Sequence, residues 1–70
     1  METMVRGIDI SKRLKDLRDR RLLTQEELAE RSGVHFTTIS KIENGGTARQ
    51  STVKKLAKAL DVDPQELLKN

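Results

Sequence analysis

The sequence lacks cysteine, tryptophan and tyrosine, and it has only one histidine, one proline and one phenylalanine. Without cysteine, neither a disulfide nor a thiolate metal site can stabilise the fold. A single histidine cannot by itself form a metal site or a catalytic triad. Because aromatic and β-branched runs are missing as well, the composition favours helices over strands. We therefore expect no metal, no cofactor and no enzymatic activity.

Long apolar runs are also absent. The first ten residues, METMVRGIDI, contain no stretch typical of a signal peptide or a membrane span, so we expect a cytoplasmic protein. Seventy residues make one domain at most, with a small core. We expect residues 1–8 to be a flexible N-terminal tail and residues 9–70 to form the domain.

Positive charge is unevenly distributed along the chain. The formal net charge is +3 at pH 7. Residues 35–60 contain five basic side chains and a single acidic one, Glu43, whereas residues 1–34 are nearly balanced. A basic segment of this kind indicates a nucleic-acid partner.

Apolar spacing and helix-end signals predict an all-α domain of five helices. Asp9 is the expected N-cap of the first helix, and the cap of the fourth helix is left open between Arg49 and Ser51. Pro64 and Glu66 mark the start of the fifth. Four of the predicted helices span about residues 10–21, 36–43, 50–60 and 64–69, and the second lies between its N-cap, Thr24, and the glycine that ends it, Gly33.

The second predicted helix has the clearest end signals. Thr24 and Glu27 have the spacing of a capping box, in which each side chain accepts a hydrogen bond from the other residue's backbone N–H. Leu23 and Leu28 have the spacing of a hydrophobic staple. Gly33 can end the helix in the left-handed conformation without a Cβ penalty.

The second and third helices have the spacing of a helix-turn-helix. Ala29 is small where the next helix must approach, and Gly33 supplies the turn four residues later. Val34, Ile39 and Ile42 then provide core contacts. Such a turn crosses two helices steeply, so the second of them can enter the major groove of DNA.

Three stretches, TQEELAERSGV, TTISKIENG and TVKKLAKALDVDPQELL, resemble the Cro and phage-repressor type of helix-turn-helix regulators, also called the xenobiotic-response-element family. The resemblance covers about residues 10–69. It implies a compact five-helix, lambda-repressor-like fold and sequence-specific binding to a double-stranded DNA operator, usually as a homodimer. It also implies a nucleoid-associated regulator of bacterial or phage type, with repression as the leading hypothesis.

The resemblance also implies roles for individual residues. Arg18 would pair with Glu43 and tie the first helix to the third, a pair worth at most about 1 kcal/mol if it is exposed. The base-reading positions correspond to His35, Phe36, Thr37, Ser40 and Lys41. The phosphate-contacting positions correspond to Gln25, Thr38, Asn44, Arg49 and Ser51.

The sequence departs from the family pattern at four positions, one of which is Ser32, a small polar residue at a site that is often apolar. Leu22 stands where relatives commonly have glycine at the end of the first helix, and Gly46 stands where many have a basic residue. Phe36 stands where a polar or basic residue is common, so its ring either contacts DNA or packs back on the domain.

Two broader alternatives stay open. The same fold serves in antitoxins and accessory modules whose main partner is a protein. Near the C-terminus, Val62, Leu67 and Leu68 either form an apolar edge for a second copy or close the core.

Overall fold

The computed structural model describes residues 7–69, which fold into five α-helices. Within these residues the only β pairing is an isolated antiparallel bridge between Ile8 and Ala48. The predicted all-α class and the number of helices are confirmed. The helices are α1 (Ser11–Arg20), α2 (Gln25–Ser32), α3 (Phe36–Glu43), α4 (Gln50–Leu60) and α5 (Pro64–Leu68).

Helix α1 starts and ends differently from the prediction. Ile10, not Asp9, occupies the N-cap position and makes no side-chain cap. The Asp9 carboxylate instead accepts hydrogen bonds from the Ser11 backbone N–H, at 3.1 Å, and from its hydroxyl, at 2.8 Å. These bonds lower the pKa of the Asp9 carboxyl. The helix ends at Arg20, before Leu22 adopts a left-handed φ of 58°.

The folded part of the chain includes residue 8, the predicted end of the N-terminal tail. Ile8 and Ala48 exchange two backbone hydrogen bonds, of 2.7 and 2.8 Å, and Ile8 packs against the core. Ile8 therefore belongs to the folded part of the chain. Residues 1–6 of the predicted tail lie outside the described residues.

The ends of α4 and α5 settle two further points. Arg49 is the N-cap of α4, with no side-chain cap bond, so Ser51 lies inside the helix. The Asp63 carboxylate caps α5 by accepting from the Gln65 backbone N–H at 2.9 Å. Helix α5 ends one residue before the predicted boundary at Lys69.

All five helices contribute to one apolar core. No polar or charged residue among the described ones belongs to this core. Leu67 is fully buried and closes the core, whereas Leu68 is 40% exposed. Within residues 7–69, no helix is both long and apolar enough to cross a membrane. The largest buried side chains are Ile10, Leu14, Leu28, Ile39, Ile42, Leu56, Leu60 and Leu67.

Candidate nucleic-acid interface

The start of α2 is held by the predicted capping box. The Thr24 hydroxyl accepts a hydrogen bond from the Glu27 backbone N–H at 3.0 Å, and the Glu27 carboxylate accepts from the Thr24 N–H at 2.8 Å. Leu23 and Leu28, the predicted staple, are both buried. The chain therefore enters α2 in a defined direction, with Gln25 as the first helical residue.

The turn between α2 and α3 depends on the backbone conformation of Gly33. Its φ is 74°, and its N–H donates to the Ala29 carbonyl at 2.9 Å. A Cβ built on Gly33 would meet no atom within 4 Å, so conformation rather than space requires glycine there. The next residue, Val34, is buried, and its N–H donates to the Ser32 hydroxyl at 3.1 Å. The predicted helix-turn-helix geometry is thus present.

Helix α3 has one buried face and one exposed face. Ile39 and Ile42 are buried, while the predicted base-reading side chains are exposed, apart from the half-buried Ser40. Phe36 is 40% exposed, so its ring is not part of the core. The His35 ring caps the helix, because its Nδ1 accepts from the Thr37 backbone N–H at 3.2 Å.

Glu43, at the C-terminal end of α3, joins three helices through hydrogen bonds. Its carboxylate accepts from Arg18 Nε at 2.7 Å, from Arg18 Nη2 at 3.0 Å and from Gln25 Nε2 at 3.0 Å. Arg18 Nη1 also donates to the Leu23 carbonyl at 2.6 Å. We call Arg18, Gln25 and Glu43 the Glu43 cluster. The predicted pairing of Arg18 with Glu43 is present, but the participation of Gln25 was not foreseen.

The side chains of Arg18 and Glu43 are largely shielded from solvent, so the limit expected for an exposed pair does not apply to them. The side chains of Glu43 and Arg18 are 4% and 12% exposed. Burial alone would raise the pKa of the Glu43 carboxyl, but the hydrogen bonds from Arg18 and Gln25 and the charges of Arg18 and Lys15 outweigh it. The pKa is therefore lowered, and Glu43 is ionised at neutral pH. The pKa of Arg18 is raised, chiefly by its hydrogen bond to Glu43.

Between residues 35 and 60, the chain has no exposed carboxylate. Glu43 is the only acidic residue of this segment, and its side chain is buried against Arg18. The basic side chains of the same segment are all exposed: Lys41, Arg49, Lys54, Lys55 and Lys58. This part of the surface can attract a polyanion.

The predicted phosphate-contacting residues fall into two groups. Thr38, Asn44, Arg49 and Ser51 are exposed, on α3, in the loop after it and at the start of α4. Gln25 differs, because its half-buried amide already donates one N–H to Glu43. An amide nitrogen carries two hydrogens, so Gln25 has a second N–H beyond the one that it donates to Glu43.

Close backbone packing in the loop after α3 accounts for glycine at position 46. Its N–H donates to the Lys41 carbonyl at 2.8 Å. A Cβ built on Gly46 would lie only 2.8 Å from the same oxygen, so a basic side chain cannot be added without moving the backbone. Gly45 precedes it with a φ of 100°.

Two short helices joined by a glycine turn, with an exposed polar face on the second, define a helix-turn-helix domain. Residues 14–67 match the model of the helix-turn-helix family HTH_3, and the chain belongs to this family. The family expected from the sequence is confirmed.

Relatives of the chain are transcriptional regulators by name. It is 49% identical over 57 residues to the uncharacterized HTH-type transcriptional regulator RghRB of Bacillus subtilis (strain 168). This match covers 79% of the chain and 41% of RghRB. It is 46% identical over 57 residues to the HTH-type transcriptional repressor RghR of the same strain, covering 79% of this chain and 42% of RghR. The chain thus spans less than half the length of these curated relatives.

A solved structure extends the comparison to nearly all of the chain. The fold superposes on SinR, the master regulator for biofilm formation, in a crystal structure with DNA, with a TM-score of 0.80 and 31% identity. The match covers 86% of this chain and 98% of that one. The lambda-repressor-like fold expected from the sequence is therefore confirmed.

Proposed function

We propose that this helix-turn-helix regulator represses transcription by inserting α3 into the major groove of a double-stranded DNA operator. The observation that carries the proposal is the ion pair of Glu43 with Arg18, which is largely shielded from solvent. Because Arg18 neutralises this carboxylate, the exposed face of α3 and the start of α4 carry only neutral and basic side chains. A carboxylate exposed at that place would repel the phosphates.

The exposed side chains of α3 have the chemistry required for base contacts. Lys41 can donate to guanine O6 and N7, and the hydroxyls of Thr37 and Ser40 can bond several base edges. Phe36 can contact a thymine methyl. His35 is the remaining base-contacting residue of the proposal.

Phosphate contacts would hold α3 in register without selecting a sequence. The start of α2 contributes Gln25, and the start of α4 contributes Arg49 and Ser51. Thr38 and Asn44 lie between them, on α3 and just after it.

Two copies would bind the two half-sites of an operator. Leu68, at the end of α5, is 40% exposed beside a groove that is lined by Ile8, Val53 and Pro64. These apolar side chains offer a surface for a second copy. Sedimentation of the wild type and of Leu68→Lys tests this, since a weakened dimer should dissociate at a higher protein concentration than the wild-type dimer. Identical sedimentation would exclude Leu68 from the interface.

Selection of DNA sequences from a random pool, at several salt concentrations, tests DNA recognition. We expect one enriched motif with two half-sites and a log-linear loss of affinity with salt. Lys41→Ala should weaken and broaden the selection while its melting temperature stays within about 2 °C of the wild type, as surface changes usually do. Lys12→Ala, which removes an equal charge from the exposed side of α1, is the matched control and should keep the motif.

The same selection can also contradict the proposal. If no motif is enriched even at low salt, sequence-specific DNA binding is wrong. A stoichiometric protein partner that co-purifies after nuclease treatment would then favour the antitoxin or accessory module.

A further inference from the structure

His35 holds the start of α3 through a single ring nitrogen. Its Nδ1 accepts a hydrogen bond from the Thr37 backbone N–H at 3.2 Å, and the same nitrogen lies 2.8 Å from the Thr37 hydroxyl oxygen. A backbone N–H can only donate. Nδ1 must therefore present a lone pair, since a proton on Nδ1 would face the proton of the Thr37 amide.

This hydrogen bond decides the tautomer of the imidazole. A neutral imidazole carries one proton, so a lone pair on Nδ1 places that proton on Nε2. The Thr37 hydroxyl, whose oxygen lies 2.8 Å from Nδ1, then donates to that nitrogen and shares its single lone pair with the Thr37 backbone N–H, so the hydroxyl oxygen keeps only lone pairs for other partners. The two exposed residues thus have opposite polarity, with a donor at His35 Nε2 and an acceptor at Thr37 Oγ1.

We propose that His35 is a specificity-determining residue that selects guanine through its Nε2–H, an inference that rests on the proposed function. Guanine presents two neighbouring acceptors, N7 and O6, in the major groove. Adenine presents an amino group beside N7, and this second donor opposes the Nε2–H. Thymine offers only O4, next to its methyl group.

The same polarity gives Thr37 the complementary preference. Its hydroxyl hydrogen is engaged by Nδ1, so its oxygen can accept from the amino group of cytosine or adenine. Without the cap, a threonine hydroxyl would rotate to suit either kind of base edge. The hydrogen bond that starts the helix therefore also sets what both side chains select.

The tautomer can be measured in the free protein, without DNA. The chain has one histidine, so the two ring-nitrogen signals in a long-range ¹H–¹⁵N correlation spectrum at neutral pH belong to His35. We expect an unprotonated shift for Nδ1 and a protonated shift for Nε2. A protonated Nδ1 at neutral pH would overturn the inference, whatever the DNA experiments show.

The base preference is measured by repeating the DNA selection with His35→Ser. Serine keeps an N-cap oxygen for the Thr37 N–H, so the helix start survives, and His35→Asn serves as a second capping variant. At one position of each half-site, we expect the variant's preference for guanine to fall by about fivefold or more. Replacing that guanine with 7-deazaguanine should weaken the wild type but not His35→Ser.

The possible results separate this inference from the proposed function. A wild-type motif that is unchanged in both His35 variants would refute the role of His35 and leave operator binding intact. A guanine preference that is unchanged at every position, with a preference lost only at adenine or cytosine, would refute the polarity assigned to His35. If the wild type enriches no motif, operator binding fails, and base selection by His35 fails with it, even if Nε2 carries the proton.

Discussion

Removal of the Glu43 carboxylate should destabilise the domain far more than the loss of a surface ion pair. In Glu43→Ala, three hydrogen bonds disappear, and the Arg18 guanidinium, whose side chain is only 12% exposed, keeps its charge without its main partner. Truncating one member of a buried pair costs about 3–5 kcal/mol. Domains of this length are stable by about 3.5–10 kcal/mol, at 0.05–0.15 kcal/mol per residue. The variant should therefore lose a third or more of its stability.

Urea and thermal unfolding, followed by circular dichroism, measure this loss. At about 4–8 °C per kcal/mol, we expect the melting temperature of Glu43→Ala to fall by more than about 10 °C. The melting temperature of Glu43→Gln should lie between those of the wild type and Glu43→Ala, because the amide oxygen still accepts a hydrogen bond but the charge is lost. Asp16→Ala is the control, since its carboxylate is 43% exposed and pairs with Arg20 at 3.1 Å. This change should cost no more than about 1 kcal/mol.

A double-mutant cycle between Arg18→Met and Glu43→Gln isolates the interaction between the two side chains. The double variant should be less destabilised than the sum of the single variants, because methionine removes the charge that Glu43→Gln leaves unpaired. If Glu43→Ala costs less than about 1 kcal/mol, the pair behaves like an exposed one, and the reasoning from burial is wrong.

Three further changes probe the backbone and the pH response. Leu22→Gly should raise the free energy of unfolding by about 1 kcal/mol, and the urea midpoint with it, because Leu22 has a φ of 58° and is 89% exposed. A lower midpoint would show that the Leu22 side chain makes a stabilising contact. Gly33→Ala should cost about 1–2 kcal/mol through its φ of 74° alone, and an unchanged midpoint would contradict this. The pKa of Glu43 is lower in the folded chain than its ordinary value, so its stabilisation is complete above the unfolded pKa and is lost as the pH falls through the folded one. Stability measured from neutral to acidic pH should thus fall less steeply in Glu43→Gln than in the wild type, and equal slopes would refute the shift.

Features set by neighbouring residues were predictable from the sequence. The capping box of Thr24 and Glu27 spans three positions, and the turn at Gly33 depends on one backbone conformation. Both follow from local hydrogen bonding and from the absence of a Cβ in glycine. Helix boundaries were therefore close to those observed, with the differences confined to one residue at the ends of α1 and α5.

Contacts between distant parts of the chain were predictable only where the family resemblance supplied them, as it did for Arg18 and Glu43. Gln25 and Glu43 are 18 residues apart, and their hydrogen bond exists only because α2 and α3 pack together. The spacing of apolar residues does not show that the Glu43 side chain is buried, since an acidic side chain at the end of α3 could equally face solvent. The bridge between Ile8 and Ala48 likewise joins a predicted tail to a loop.

The two ends of α3 are held by different kinds of contact, and this divides its residues by role. At its start, the His35 cap is local and involves exposed side chains. At its end, Glu43 is bound to α1 and to the first residue of α2, so the direction of α3 is fixed relative to the place where Gln25 would meet a phosphate. In the proposed complex with DNA, changes at exposed residues between these ends, such as Lys41, would alter base preference at little cost in stability, whereas changes at Glu43 would alter stability first.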